Sequence, residues 1–153
     1  MDDAAKDSVY RESIRKFFVD LLGNDVYFDK TFIDPTVFEK APTAWFVVDP
    51  GGLDGIDGRF EPAMRVICCT RRDPEKTTLS EKVDTVRDGL RDSTKPDGCK
   101  RIPMVLWNTG TETYDTIGAI LVEKNPRDSG DMSAPDQSNY RILTYRVVWV
   151  ANG

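Results

Sequence analysis

The side chains that could perform acid or base chemistry in this chain are mainly carboxylates, because the sequence contains no histidine. Histidine is the side chain most often used for proton transfer near neutral pH. The sequence also has neither a glycine-rich phosphate loop nor a nucleophile elbow. We therefore predict that the protein is not an enzyme, and we assign no catalytic, cofactor-binding or metal-binding residue.

The richest group of carboxylates is Asp49, Asp54 and Asp57, which stand among glycines in residues 49–58. Their oxygens are of the kind that bind a hard cation such as Ca²⁺. However, the spacing from Asp54 to Gly58 does not match an EF-hand loop. Aspartate and glycine are also good loop formers, so we prefer to interpret this segment as a loop that binds no metal ion. A small cytosolic enzyme that uses Asp54 and Asp57 with a divalent ion is the alternative from a different class.

Basic residues are scattered along the chain, and the nearest approach to a patch is Arg71, Arg72 and Lys76. They flank a predicted helix start, whose amide groups could meet a phosphate. The neighbouring Asp73 and Glu75 would repel that phosphate. Solvated arginines, or a salt bridge to another subunit, are therefore the preferred interpretation.

The three cysteines and two of the tryptophans have structural interpretations. Cys68 and Cys69 are adjacent on an apolar run, so in a strand they point to opposite faces and cannot easily pair. With Cys99 they make an odd number, which fits buried free thiols in a reducing compartment better than a metal site. Trp107 and Trp149 lie near predicted strand ends and are interpreted as core or interface anchors.

Two helices are predicted to support these residues. Apolar residues at helical spacing predict the first over residues 4–22, with Gly23 and Asn24 as its stop. The second covers residues 74–91, because Asp73-Pro74-Glu75 is typical of a helix start. Its apolar stripe consists of Leu79, Val83, Val86 and Leu90.

Six strands are predicted from β-branched, aromatic and alternating residues, over residues 26–33, 43–48, 64–70, 102–108, 117–123 and 140–150. The second is apolar enough to be buried on both faces, and Pro103 belongs at the start of the fourth or on an edge strand. Residues 125–138 are rich in Pro, Ser, Gly and Asp and are predicted to be a long exposed loop. The fold class is therefore α/β (α+β): one domain, residues 1–153, with a mixed or antiparallel sheet of about five to six strands packed by two helices.

Composition limits the classes of partner. Hydrophobic residues make up 39% of the chain, which is enough to form a core. A net charge of −5 provides no general electrostatic attraction for nucleic acid or anionic lipid. The longest apolar run, residues 117–122, is too short to span a bilayer, and the acidic residues 1–4 lack the positive charge of a secretory signal. We expect a cytosolic protein that associates with no membrane.

One arrangement is more specific than any single motif. An amphipathic helix and a strand precede an apolar strand that ends in Asp49-Pro50-Gly51-Gly52, and a further strand reaches Arg71 before the second helix. This order resembles the tail terminator, or minor capsid protein, family of long-tailed siphovirus-like bacteriophages. The resemblance covers residues 1–90 best and extends to the closing strand. The chain departs from the family pattern at residues 53–58 and 125–138.

The resemblance implies a structural virion protein that acts without a cofactor. Such proteins form a ring, usually a hexamer, on the major tail tube protein, stop its polymerisation and present a docking surface to the head completion protein. They reside in the tail neck of the virion, and in the host cytoplasm during assembly. DNA would pass through the lumen without specific binding, because six subunits of −5 give a ring of about −30. Another connector ring protein, a stopper or an adaptor, is the nearest alternative.

Overall fold

The computed structural model describes residues 7–38, 40, 42–51, 61–134 and 138–151. Within these residues the chain forms two α-helices and eight β-strands. The elements in chain order are α1 (Asp7–Leu22), β1 (Val26–Tyr27), β2 (Ala44–Asp49), β3 (Glu61–Thr70), α2 (Thr77–Gly89), β4 (Lys100–Asn108), β5 (Thr113–Val122), β6 (Arg127–Asp128), β7 (Met132–Ser133) and β8 (Asn139–Ala151).

All eight strands belong to one mixed sheet. Six of them follow the order β1-β2-β3-β8-β5-β4, and the short strands β6 and β7 pair with β8 beside this path. Only β1 and β2 are parallel, and every other pair is antiparallel. The predicted fold class, a single mixed or antiparallel sheet packed by two helices, is confirmed. Pro103 lies in β4, an edge strand, where its missing N–H costs least.

The last strand, β8, connects the two halves of the sheet. Its first part pairs with β3, from Asn139 opposite Thr70 to Val147 opposite Glu61. Its second part pairs with β5, from Val147 opposite Val122 to Ala151 opposite Gly118. Apolar residues alternate along β8, so every second side chain points to the same face of the sheet and is buried there. The fully buried residues on that side are Leu143, Tyr145 and Val147.

Both helices contribute to the main core. The apolar face of α1 buries Val9, Tyr10, Ile14 and Phe18, and α2 buries Leu79, Val83 and Val86. These side chains belong to one cluster with residues of β2, β3, β4, β5 and β8. The two helices also approach each other closely at the end of α2. A Cβ atom on Gly89 would lie 2.6 Å from Cδ2 of Leu21, so glycine is needed there unless Leu21 moves.

A second, smaller cluster covers the opposite side of β2 and β3. Trp45 and Val47 lie there, whereas Phe46 and Val48 face the main core, so β2 is buried on both faces as predicted. Aromatic residues from the segment between β1 and β2 complete this cluster, and Trp45 Nε1 donates a hydrogen bond to the Phe32 carbonyl oxygen (2.7 Å). The sheet therefore has apolar cover on both sides in this region.

The prediction of one strand over residues 26–33 was wrong beyond Tyr27. The carboxylate of Asp29 accepts hydrogen bonds from the Thr31 backbone N–H and from its hydroxyl, both at 2.9 Å. These local bonds compete with strand pairing and favour the short 3-10 turn Lys30–Ile33 that follows. The apolar side chains then pack as a cap on the sheet instead of forming part of it.

The predicted bounds of the helices need smaller corrections. The end of α1 at Leu22 is confirmed, and residues 4–6 lie outside the described residues. The second helix begins at Thr77, not at Pro74, because Lys76 has a left-handed backbone with φ of 60°. Asp73 still caps this helix, since its carboxylate accepts from the backbone N–H groups of Thr78 (3.3 Å) and Leu79 (2.9 Å).

The prediction that residues 125–138 form only an exposed loop was also wrong. Arg127 and Asp128 pair with Thr144 and Leu143, and β7 pairs with the start of β8. The first part of β8 is bonded to β3 on its other edge, so these short strands use backbone groups that would otherwise be open. Residues 135–137 lie outside the described part of the chain.

The buried stripe of α2 leads to a first prediction. Val83 is 2% exposed in the main core, and Val83→Asp would place an unpaired carboxylate there. We expect a loss of about 3 kcal/mol or more in the free energy of unfolding, and a melting temperature lower by more than about 5 °C. The exposed neighbour Asp84 supplies the control, because Asp84→Asn should change melting by no more than about 2 °C. Equal melting of Val83→Asp and wild type would contradict the packing.

Candidate assembly surface

The predicted acidic cluster is only partly within the described residues. Asp49 Oδ2 accepts an ion pair from Lys30 Nζ at 3.0 Å, and Asp49 Oδ1 accepts from the Gly51 backbone N–H at 3.2 Å. Both oxygens are thus engaged by the protein. Asp54 and Asp57 lie outside the described residues. In the part of the chain that is described, no group of three or more His, Cys, Asp or Glu residues could hold a metal ion.

The three cysteines are free and buried, as predicted. Cys68 faces the main core and Cys69 faces the smaller aromatic cluster, so the expected opposite orientation is confirmed. Burial raises the pKa of Cys69 to about 12 and also raises the pKa values of Cys68 and Cys99. Because the thiolate is the reactive form, these cysteines are poor nucleophiles at neutral pH.

The basic group predicted at the start of the second helix lies beside a surface cavity of about 460 Å³. Arg71, Arg72 and Lys76 contribute to its lining. The helix amides beside it are already occupied, because the Asp73 carboxylate accepts from Thr78 and Leu79. A phosphate at this helix end would have to displace that carboxylate, which gives a physical reason to prefer the solvated interpretation.

The most exposed regular structure is a two-stranded arm formed by the outer ends of β4 and β5. Pairing of β5 with β8 covers only Gly118–Val122, whereas β5 continues to pair with β4 out to Asn108 opposite Thr113. The arm, residues 105–116, therefore has no third strand among the described residues. From Leu106 to Thr116 every residue except Asn108 is exposed.

Side-chain hydrogen bonds stabilise the turn of the arm. Asn108 Oδ1 accepts from the backbone N–H groups of Gly110 (2.9 Å) and Thr111 (3.3 Å). The Nδ2 group of the same residue donates to Asp115 Oδ2 at 2.9 Å. These bonds connect both strands to the turn, so the arm is well defined although its sides are open to water.

Two aromatic side chains on the arm are half exposed to solvent. Trp107 is 49% exposed and Tyr114 is 52% exposed, and they are direct cross-strand partners. Their ring centroids are 5.1 Å apart in an edge-to-face arrangement, and Lys16 Nζ of α1 lies 5.5 Å from the Tyr114 centroid. Trp149, in contrast, packs against the main core. The two tryptophans therefore differ: Trp149 is a core residue, and Trp107 is available for an interface.

A groove of about 450 Å³ separates the arm from α1. The groove has a mixed lining of apolar and charged residues. The apolar ones are Val9, Val19, Val105, Leu106, Trp107 and Tyr114, and the charged ones are Glu12, Arg15, Lys16 and Asp20. Ser13 connects α1 to the arm beside the groove. Its hydroxyl group donates a hydrogen bond to the Val9 carbonyl oxygen (2.7 Å), and its Oγ accepts one from the Val105 N–H (2.9 Å). We call the arm and this groove the assembly surface.

Trp107 was predicted to be a core or interface anchor, but its partners were not predicted. A turn centred on Thr109-Gly110 would place Glu112 opposite Trp107, whereas the observed turn is centred between Gly110 and Thr111, which makes Trp107 and Tyr114 a cross-strand pair. The contribution of Val19 could not be predicted in this way. Its position in α1 is brought beside the arm only by packing of the helix on β4.

A charged cluster attaches residues 127–133 to the rest of the protein. The Asp128 carboxylate accepts two hydrogen bonds from Arg141 of β8, one from Nε and one from Nη2. It also accepts one from Arg87 Nη2 of α2 at 2.6 Å. Hydrogen bonds lower the pKa of Asp128 to about 2, although its partial burial acts in the opposite direction. The largest contribution comes from Arg141, and smaller ones come from the Gly130 backbone N–H and from Arg87. This carboxylate links α2, β6 and β8.

Comparison with protein-family models, curated proteins and solved structures finds no match for the chain. No helix in the described residues is long and apolar enough to cross a membrane.

The charged cluster predicts a pH dependence. Because the folded pKa of Asp128 lies below the usual value near 3.8, its stabilisation is complete above that value and is lost as pH falls through about 2. Since the group is partly open to solvent, we expect Asp128→Asn to cost about 1 to 2 kcal/mol at pH 7 and much less near pH 2. Urea unfolding of both proteins at the two pH values measures this difference.

Asp131 provides a matched control for that experiment. It lies 3.8 Å from Arg141 Nη1 and its side chain is 40% exposed, so Asp131→Asn should change stability little. An equal loss for both substitutions, or a loss for Asp128→Asn that does not depend on pH, would contradict the role of the Asp128 ion pairs.

Proposed function

We propose that the protein is a structural virion protein, the ring-forming tail terminator of a long-tailed bacteriophage. The observation that carries the proposal is the assembly surface, an ordered arm with two half-exposed aromatic residues beside a groove with a mixed apolar and charged lining. Aromatic residues are enriched at protein interfaces, where the ring is buried against a partner. The resemblance over residues 1–90 supplies the particular family.

The exposed side of the arm supports a ring. It can contact a surface on the neighbouring subunit other than that subunit's own arm. Contacts between two different surfaces, repeated around an axis, generate a closed ring when the rotation closes. The copy number of six comes from the resemblance. In isolation the protein is expected to be a monomer, because premature rings would block assembly.

In this role the protein would bind the end of the major tail tube protein, stop its polymerisation and present the docking surface for the head completion protein. Rigid β-structure and ordered loops suit this task, and no bond is made or broken. The protein would act in the host cytoplasm during assembly and remain in the virion neck. The alternative from a different class is a carboxylate-based enzyme that uses Asp54 and Asp57 with a divalent ion, and both residues lie outside the described part of the chain.

Electron microscopy of tails assembled with and without the protein tests this proposal. With the protein present, tails should have one length and carry a ring at the end of the tube. Without it, the tube should continue to grow and the length distribution should broaden. Equal length distributions would contradict a terminator, and a ring found on head portals instead would indicate a stopper or an adaptor.

Substitutions on the arm test the assembly surface separately. Trp107→Ser with Tyr114→Ser removes two half-exposed aromatic rings, so we expect melting to fall by no more than about 4 °C. Capping of tubes should be lost. Val37→Ser removes a side chain that is 45% exposed on another part of the molecule and should leave capping intact. Normal capping by the folded double variant would show that the arm is not the ring interface.

A further inference from the structure

Another surface cavity, of about 440 Å³, lies where the chain leaves α2 and where β5 ends. The residues around it come from segments that are separate in the sequence, which are the turn after α2 and the residues after β5. The polar groups that line it are Arg91, Ser93, Lys95, Lys124 and Asn125. Three of these five residues are cationic, and no carboxylate residue contributes to the lining.

The turn that carries Lys95 is held by its own backbone. Arg91 and Cys99 form an isolated antiparallel bridge that closes the segment. Within it, the Asp92 N–H donates to the Gly98 carbonyl oxygen (3.1 Å), and the Gly98 N–H donates to the Lys95 carbonyl oxygen (3.1 Å). The backbone positions of Arg91 and Lys95 are thereby set before any ligand arrives, which reduces the entropy lost on binding.

Lys124 is positioned by a glycine. Gly98 has a φ of +69°, a left-handed conformation that favours glycine. A Cβ atom at this position would lie 2.7 Å from Lys124 Cδ, so the missing side chain lets the lysine stem lie directly on the turn. Lys124 therefore lines the same cavity as Arg91 and Lys95, with its stem against the turn.

The nearby carboxylates form no ion pair with these three cations, although Asp92 interacts electrostatically with Lys95. Asp92 Oδ1 accepts from the Thr94 N–H (3.0 Å) and hydroxyl, and Asp97 Oδ1 accepts from the Cys99 N–H (3.0 Å). In the described residues, none of the three cations has a carboxylate oxygen within 4.0 Å. The lining of this cavity therefore carries three positive charges and no negative one, although the net charge of the chain is −5 and the neighbouring Asp92 and Asp97 reduce the local potential.

We propose that Arg91, Lys95 and Lys124 form a binding site for a phosphate-like oxyanion. The guanidinium of Arg91 can engage two oxygens, the lysines add two point charges, and Ser93 and Asn125 offer neutral donors. The ligand class is a phosphate group, either as a free anion or as part of a nucleic-acid backbone. The site does not depend on the proposed ring, since every residue in it belongs to one subunit.

The experiment is an NMR titration of the full ¹⁵N-labelled chain at low salt with inorganic phosphate, with pyrophosphate and with a short duplex DNA. We expect saturable shifts at the amides of Lys95, Gly98 and Asn125. The triple variant Arg91→Ser, Lys95→Ser, Lys124→Ser should weaken binding by about tenfold or more, because charge-assisted contacts are removed. Because salt screens the attraction between exposed charges, we expect each anion to bind more weakly at about 0.5 M NaCl.

The matched control removes the same number of charges from the cavity at the start of α2. The variant Arg71→Ser, Arg72→Ser, Lys76→Ser should leave the shifts at Gly98 and their saturation unchanged. If the first triple variant does not fold, Lys95→Glu alone changes an exposed side chain and should abolish the shifts. Binding of the small anions alone identifies free phosphate as the ligand, and binding of duplex at the same amides identifies a nucleic-acid backbone.

No saturable shift at these amides with any of the three probes would overturn the proposal. Equal weakening by the two triple variants would also overturn it, because the effect would then come from net charge and not from a site.

Discussion

The arrangement of this protein depends on how one strand, β8, divides its backbone hydrogen bonds between two neighbours. Its first part pairs with β3 and its second part with β5, so a single thirteen-residue strand joins both halves of the sheet. Burial of Leu143, Tyr145 and Val147 sets the register, because a slip by one residue would expose all three. The positions of α1 and α2 follow, since both must cover this same apolar face.

The assembly surface lies where the pairing of β5 with β8 stops in the described part of the chain. Among these residues, the part of β5 before Gly118 pairs with β4 alone, which gives the two-stranded arm. Two-stranded hairpins are only marginally stable in water without additional packing. Here the packing comes from α1, through Ser13 at the base of the arm and Lys16 over Tyr114. The arm is thus held in place on one side and exposed to solvent on the other.

Charge in this protein has to be considered locally as well as in total. The net charge of the whole chain, −5, predicts little affinity for polyanions. The fold nevertheless gathers Arg91, Lys95 and Lys124 around one cavity and directs Asp92 and Asp97 to nearby backbone or hydroxyl groups. The scattered placement of basic residues in the sequence was therefore a poor guide to their placement in space.

The sequence by itself determined the fold class, the end of α1, the apolar stripe of α2 and the opposite faces of Cys68 and Cys69, because these depend on the short-range periods of helices and strands. Local competition from Asp29 and the pairing of residues 127–133 with β8 were missed. Only the tertiary structure decided that Trp107 is exposed while Trp149 is packed, and that Lys124 lies at the same cavity as Arg91 and Lys95. The physical reason is that each of these outcomes depends on which non-local strand edge or loop lies beside the residue, and residue type and local spacing carry no information about that neighbour.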